Sequence, residues 1–176
     1  MITDSIVDLV SDRIDLAIRL GPGHRADVAG ERLFPTRYRV LASPDYINRR
    51  GSRACPSELT THFCPTYTLP DYRSRWSFRD QTGDDHISIS ARMIISGALA
   101  LRQPALDGIG PALLVDWLTD PDVETGRLAD LFPSHCVTAT TFETAAWLLY
   151  VTRDFMPRKV RATADFLRDR LGRGRE

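Results

Sequence analysis

The sequence has almost no lysine and no excess of charge of either sign. Lys159 is the only lysine, and arginine supplies the rest of the 23 basic residues, which 23 acidic residues balance to a formal net charge of zero. Domains that hold nucleic acid through its phosphates carry a clear basic excess, so this balance excludes that class of binding for the chain. It also excludes an acidic disordered segment, because such segments carry a high net charge.

Cysteine is scarce, and long apolar runs are missing. Cys55, Cys64 and Cys136 have no CxxC spacing, so we predict free thiols and no metal site. The longest fully apolar run covers residues 145–151, about a third of the length that a membrane span needs. The first ten residues include two aspartates where a secretory leader would have basic and then apolar residues. We therefore expect a cytoplasmic protein without membrane contact.

Motifs for catalysis or cofactor binding are also missing. The sequence has no GxSxG, HExxH or GxxxxGK[ST] motif. Gly108 and Gly110 lack the third glycine of a dinucleotide fingerprint and follow a predicted helix, so a tight helix-to-strand turn is the better interpretation. The four histidines are scattered over predicted loops and surface positions. The residues therefore favour a protein that is not an enzyme and has no cofactor.

The chain does contain regular apolar patterns, and 43% of its residues are hydrophobic, as in ordinary globular domains. Apolar residues alternate with others over residues 14–18, which predicts a strand. Two alternating runs on either side of residues 82–84 predict an antiparallel hairpin. Strands separated by helices predict an α/β fold with mostly parallel pairing, to which the hairpin adds an antiparallel piece.

Three helices have clear boundary signals. Ser43 followed by proline predicts a helix start, and Gly51 predicts its end. Ser96 is the predicted cap of a helix that runs to residue 107 and is kinked at Pro104. The last helix starts at Pro157 and has an apolar stripe. The stripe consists of Val160, Ala164, Leu167 and Leu171.

Three positions combine a polar group with a strand or helix end. Arg19 ends an apolar strand and would lie in a crevice at its carboxyl end, or it is simply an exposed arginine. Ser96 and Gly97 place a hydroxyl and a bare backbone at a helix N-terminus, which suits a carboxylate or phosphate or makes an ordinary cap. Thr68 lies in a stretch that ends a strand with a hydroxyl and exposed backbone, or forms a plain turn.

Six segments, in order along nearly the whole chain, share one resemblance. They are DSIVDLVSDRIDLAIRLG (4–21), RLFPTRYRVLASPDYI (32–47), YTLPDYRSRWSFRD (67–80), ALALRQPALDGIG (98–110), TAAWLLY (144–150) and VRATADFL (160–167). Together they resemble the effector-binding domain of LysR-type transcriptional regulators.

The resemblance implies an α/β fold similar to type 2 periplasmic binding proteins. In that fold two Rossmann-like lobes are joined by two crossover strands, and an effector binds in the cleft between them. Residues 1–36 and 147–176 would form the first lobe, and residues 37–146 would form the second. The family's winged helix-turn-helix and linker helix are absent from this sequence, as are the first strand and helix of the first lobe. The resemblance is therefore to an N-terminally truncated member with an incomplete first lobe.

The same resemblance places a set of candidate effector-binding residues near the cleft. They are Thr3, Arg19, Thr68, Leu69, Ser96, Gly97 and Trp117. The guanidinium and the helix start favour a small anion, with a carboxylate as the expected group. The threonine hydroxyl would add a neutral hydrogen bond, and the apolar side chains would shape the rest of the pocket.

The function that the resemblance implies is that of a sensory domain. It would bind a small-molecule effector and control transcription in the intact regulator, which would contact DNA only through the module missing here. We expect a homo-oligomer. Two alternatives remain: a solute-binding protein of a transport system, which would need export, and a regulator fragment that acts by dimerising with intact regulators.

Overall fold

Strands outnumber helices in the computed structural model of the protein, which describes residues 8–21, 29–51, 55–151 and 157–172. The chain divides into two compact units. We call the described residues of Ser5–Thr36 and Glu143–Glu176 the terminal unit, and those of Arg37–Phe142 the central unit. The chain therefore passes between the units at residues 36–37 and again at residues 142–143.

The elements are numbered in chain order. The strands are β1 Leu16–Gly21, β2 Ala29–Pro35, β3 Tyr38–Ala42, β4 Pro65–Tyr67, β5 Arg75–Arg79, β6 Asp84–Ser88, β7 Met93–Ile95, β8 Ala112–Val115, β9 Ala129–Asp130, β10 Cys136–Thr138 and β11 Ala145–Tyr150. The α-helices are α1 Pro44–Arg50, α2 Pro70–Ser74, α3 Ala98–Leu106, α4 Asp116–Glu124 and α5 Arg158–Gly172. A short 3-10 helix covers Pro56–Thr61.

The terminal unit is a three-stranded antiparallel sheet with one helix on it. The strand order is β1-β11-β2, and α5 packs against one face of this sheet. The predicted stripe on the last helix is confirmed, because Val160 and Ala164 are buried and Leu167 and Leu171 pack against the core. The other residues of this apolar core come from the strands: Leu16, Leu33, Phe34, Ala146 and Leu148.

The central unit has one larger antiparallel sheet and one small parallel sheet. The larger sheet has the order β6-β5-β10-β3-β8, with β9 also paired to β3, and the small sheet pairs β4 with β7. The prediction of mostly parallel pairing is therefore wrong, since β4–β7 is the one parallel pair among the described strands. The alternation of strands and helices was misleading because none of α1 to α4 connects two strands that pair with each other.

Two strands of the larger sheet are buried on both faces. Val40 and Leu113 face one apolar cluster, whereas Leu41 and Leu114 face another on the opposite side. All four residues of β8 are buried. This double burial explains the continuous apolar run of β8, because neither face of that strand meets water.

Helix α1 has the predicted boundaries. The Ser43 hydroxyl accepts a hydrogen bond from the Tyr46 backbone N–H at 3.3 Å, and a proline follows the cap. At the other end the Gly51 N–H donates to the Ile47 carbonyl at 2.7 Å, and the φ of Gly51 is +80°. Glycine adopts this conformation without steric cost, so both local signals for the helix are confirmed.

The predicted hairpin is formed by β5 and β6. Trp76 lies opposite Ile87 in an antiparallel register. In the connecting loop the Asp80 carboxylate accepts hydrogen bonds from the backbone N–H groups of Thr82 (2.7 Å) and Gly83 (3.3 Å). An aspartate that accepts a hydrogen bond from the backbone two residues ahead stabilises a tight turn. This local interaction explains why the hairpin could be predicted from the sequence.

The glycines after α3 make the tight turn predicted for them. The helix ends with the Ile109 N–H donating to the Pro104 carbonyl at 2.9 Å, and the φ of Gly108 is +69°. This is the pairing of a Schellman motif. A Cβ atom at Gly110 would lie 1.9 Å from the Phe63 carbonyl oxygen, so the backbone approaches there more closely than any side chain allows.

Helices α3 and α4 are joined by a buried carboxylate. The Asp122 side chain is fully buried, and Nη2 of Arg102 donates to Oδ1 at 2.6 Å while Nε of the same residue donates to Oδ2. Nη2 of Arg127 lies 2.6 Å from Oδ1 as well. The hydrogen bonds from Arg102 hold the pKa of Asp122 below its usual range.

We predict that Gly110→Ala destabilises the protein by about 2 kcal/mol, because the added methyl group forces the backbone apart. Gly172→Ala is the matched control, since its Cβ would lie at an ordinary 3.6 Å from the Leu33 carbonyl oxygen. The free energy of unfolding in urea measures both changes. Equal stability of the two variants would contradict the close approach at Gly110.

We predict that Asp122→Asn lowers the free energy of unfolding at pH 7 by about 2 kcal/mol, because two guanidinium groups lose a buried negative charge and one of its two acceptor oxygens. The folded pKa of Asp122 is depressed, so its stabilisation is present above the unfolded pKa of about 3.9 and is lost as the pH falls towards the folded pKa. Urea unfolding at pH 7 and near pH 3.5 measures this, with exposed Asp85→Asn as the control. A deficit that is the same at both pH values would contradict the ion pair.

Candidate functional site

The parallel strands β4 and β7 bring three of the predicted site residues together. The backbone N–H of Thr68, directly after β4, donates to the Ile95 carbonyl at the end of β7 at 3.1 Å. Ser96 and Gly97 follow at once along the chain. Carboxyl ends of parallel strands are where open α/β sheets bind ligands, so this strand edge of the central unit is a candidate site.

The helix start at this edge differs from the prediction. Gly97 is the N-cap of α3, with a φ of +90°, and no described side chain caps the helix. The prediction that Ser96 is the cap is therefore wrong by one residue, because the chain turns into the helix through a conformation that favours glycine. Ser96 is exposed. The first-turn N–H groups of α3 consequently keep their capacity to bind an acceptor.

Leu69 is the N-cap of the short helix α2 and leads to a group of tyrosines that sequence reasoning missed. The Leu69 carbonyl accepts a hydrogen bond from the Tyr72 N–H at 3.1 Å. The Tyr72 ring packs edge-on against Tyr67 at 5.6 Å and against Tyr38 at 5.8 Å between ring centroids. Tyrosines alone gave no signal, because only the fold brings residues 38, 67 and 72 together.

The hydroxyl groups of Tyr38 and Tyr72 are neutral. The Tyr72 hydroxyl donates to the Tyr38 hydroxyl at 2.9 Å. Burial raises the pKa of Tyr38 and of Tyr72 above the usual value for a phenol. Neither group ionises near neutral pH, so Tyr38 and Tyr72 carry no negative charge.

Trp117 supplies an unused hydrogen-bond donor. It is the second residue of α4 and is partly buried, and its backbone N–H donates to the Asp116 carboxylate at 2.8 Å. Its indole Nε1 is buried without a hydrogen-bond partner in the described part of the chain. A buried N–H without a partner is costly, so this donor is suited to a ligand acceptor. No hydrogen bond found among the described residues links Trp117 to Thr68.

Arg19 lies in the terminal unit. It occupies the middle of β1, is partly buried, and faces Trp147 of β11 directly across the strand pair. The Trp147 indole N–H donates to the Gly21 carbonyl at 3.2 Å. On the other side of β11, Trp147 is opposite Arg32 of β2. Arg32 and Trp147 were not among the predicted residues, and Thr3, which was, lies outside the described residues.

A shallow depression in the central unit is distinct from these residues. Its volume is about 390 Å³. It is lined by Ser43, Pro44, Asp45, Arg102, Gln103, Leu106 and Arg127. Both lining arginines are paired with the buried Asp122, and none of the predicted site residues contributes to it. The depression therefore offers little uncompensated charge to a ligand.

The described residues hold no group of three or more histidine, cysteine or acidic side chains that would suit a metal ion. The three cysteines are free, and burial raises the pKa of the Cys64 thiol to about 12. That thiol is protonated at neutral pH and is therefore a poor nucleophile. Within the described ranges, no helix is both long and apolar enough to cross a membrane.

Comparison with protein families matches residues 1–172 to the LysR substrate binding domain. The HTH-type transcriptional regulator CrgA of Neisseria meningitidis is 29% identical over 170 residues, which cover 97% of this chain and 56% of CrgA. The HTH-type transcriptional regulator DmlR of Escherichia coli is 30% identical over 169 residues, which cover 95% of this chain and 53% of DmlR. The chain thus spans about half the length of these relatives, and both are named as regulators of transcription.

Solved structures show the same relationship. The structure of CrgA, a LysR-type transcriptional regulator, has a TM-score of 0.79 at 30% identity and covers 93% of this chain and 54% of that one. Full-length AphB of Vibrio cholerae has a TM-score of 0.80 at 22% identity, covers 97% of this chain and 57% of that one, and supports the fold. The predicted type 2 periplasmic-binding-protein-like α/β fold is confirmed. The chain belongs to the LysR substrate-binding domain family.

Proposed function

We propose that this chain is a sensory domain that binds a small-molecule effector and thereby controls transcription as part of a longer regulator. The observation that carries the proposal is the family match over residues 1–172, together with relatives that are named as transcriptional regulators. In such a regulator, contact with DNA would come from a helix-turn-helix module that these 176 residues do not contain.

The expected effector is a small anion with at least one carboxylate. The central unit offers several hydrogen-bond donors: the N-terminal N–H groups of α3 and the Thr68 hydroxyl at the strand edge, and, in α4, the indole N–H of Trp117. Arg19, in the terminal unit, is a separate candidate that carries a guanidinium. Donors and cations favour an acceptor with negative charge over a cation, and their bonds to a carboxylate are stronger than those to a neutral group.

Several further properties belong to the same proposal. We expect a cytoplasmic homo-oligomer that is not an enzyme and needs no cofactor. The division into one lobe of residues 1–36 and 147–176 and another of residues 37–146 stays a prediction. The roles of the seven candidate residues in effector binding also stay predictions.

We predict that a thermal-shift screen of carboxylates, sugars and amines finds its best ligand among the carboxylates. Arg19→Ala is expected to weaken binding of that ligand roughly ten- to a hundredfold, because a charge-assisted hydrogen bond is lost. Thr68→Val is expected to weaken it less, because the lost bond is neutral. Calorimetry measures both, and Arg161→Ala, exposed on α5, is the control. An uncharged best ligand, or an affinity that is unchanged in both variants, would contradict the proposal that the effector is a carboxylate bound by these residues.

We also predict that the 176-residue chain alone does not retain DNA in a gel-shift titration at low salt. Its formal net charge is zero, so the phosphate attraction that supplies non-specific affinity is missing. Low salt is the most permissive condition, since screening is weakest there. Sub-micromolar binding to a promoter fragment would be incompatible with this prediction.

A further inference from the structure

Two arginines and a tryptophan lie in one row across the sheet of the terminal unit. Trp147 on the central strand β11 is directly opposite Arg19 on β1 and directly opposite Arg32 on β2. Directly opposite residues of antiparallel strands project to the same face of a sheet. The three side chains therefore share one face, and Trp147 is the middle residue of the three. We call them the Arg–Trp–Arg row.

The row projects from the face that α5 does not cover. Ala146 and Leu148, on either side of Trp147 in β11, pack into the core beneath α5. Because successive residues of a strand point to opposite faces, Trp147 points away from that helix. The row therefore does not belong to the apolar core that holds α5 on the sheet.

No described acidic residue of this sheet shares the face of the row. Glu31 lies opposite Leu148, hence on the α5 face, and accepts hydrogen bonds from Arg168 at 2.6 and 2.7 Å. Asp15, just before β1, is 3.0 Å from Lys159 of α5. No ion pair between Arg19 or Arg32 and an acidic group is found in the described ranges. Among the described residues of this sheet, the row thus combines two positive charges with no acidic partner.

The row has a fixed apolar centre. The hydrogen bond from the Trp147 indole to the Gly21 carbonyl orients the ring. Adjacent strands are about 4.8 Å apart, so the α-carbons of the two arginines are separated by about 10 Å, with the α-carbon of Trp147 midway. The remaining described positions on this face of the strands are small or apolar, such as Ala17 and Gly30. Of the positions on this face, Ala145 and Leu149 are buried, whereas Arg19 and Trp147 are partly exposed and Arg32 is exposed.

The row also lies near the end of the sheet where the chain leaves for residues 37–142. Arg32 precedes Thr36 by four residues, and Trp147 follows Thr144 by three. These two threonines are buried and hydrogen-bonded to each other, hydroxyl to hydroxyl, at 2.9 Å. A ligand on the row would therefore contact β2 and β11 close to the hydrogen-bonded pair of Thr36 and Thr144.

We propose that the Arg–Trp–Arg row binds a small organic dianion. Each guanidinium takes one carboxylate through its paired N–H groups, and the indole covers the carbon skeleton between them. This inference rests on the proposed effector binding and deepens it, because it adds Arg32 and Trp147 to Arg19 and specifies two negative charges. A dianion is favoured over a monoanion since a single carboxylate would leave the second guanidinium without an acceptor.

The test is calorimetry on the full chain with three probes that share a four-carbon skeleton: succinate, butyrate and succinamide. Succinate is expected to bind at least tenfold more tightly than butyrate, and succinamide is expected not to bind. Arg19→Ala and Arg32→Ala should each weaken succinate at least tenfold, to the affinity of butyrate. Trp147→Phe keeps an apolar ring and should retain the dianion preference with weaker binding.

Arg161→Ala, exposed on α5, is the matched control and should leave succinate affinity unchanged. Circular dichroism of each variant establishes that it is folded before affinities are compared. Because Arg32 is exposed, its replacement is not expected to impair folding.

The outcomes separate the row from the proposed function. Succinate binding that is lost in Arg19→Ala but unchanged in Arg32→Ala and Trp147→Phe overturns the row and leaves effector binding intact. No succinate binding by the wild type up to about 10 mM also overturns the row, even where the ligand screen finds another carboxylate. Failure of every ligand in that screen removes the proposed function and the row together.

Discussion

The antiparallel register of β11 against its two neighbours determines which side chains of the terminal unit meet. It places Ala146 and Leu148 beneath α5 and turns Trp147 to the opposite face. A slip by one residue would exchange these faces, burying the indole beneath the helix and exposing the core residues. The stability of the unit and the formation of the Arg–Trp–Arg row therefore depend on the same register, and neither can change without the other.

One irregularity in β2 keeps this arrangement in place. The register shifts between Ala146 and Trp147, so that Phe34 pairs with the former and Arg32 with the latter. Leu33 is the extra residue, and it packs with Phe34 into the core. Such a bulge redirects side chains locally. Here it allows two consecutive apolar residues to face α5 while Arg32 still projects beside the indole.

The sequence predicted the features that depend on neighbouring residues. Ser43 and Gly51 mark the two ends of a helix, and the last helix has an apolar stripe. Both features were predictable because helix caps and apolar periodicity depend on residues only a few positions apart. The pairing of strands depends on distant residues, and the expected parallel sheet was wrong. Arg19 was recognised by its chemistry, whereas Arg32 and Trp147 become partners only through a register that contains a bulge. The cap of α3 was misplaced because Ser96 resembles a cap chemically, while the backbone there requires Gly97.

The most direct measurement is a two-dimensional NMR titration that follows the Nε–Hε groups of the arginines as succinate is added. If both arginines hold one dianion, the signals of Arg19 and Arg32 shift together along one saturable curve. The signal of Arg168, whose guanidinium is already bound to Glu31, should stay in place. Signals of Arg19 and Arg32 that saturate at different concentrations, or shifts spread evenly over the exposed arginines, would contradict the account.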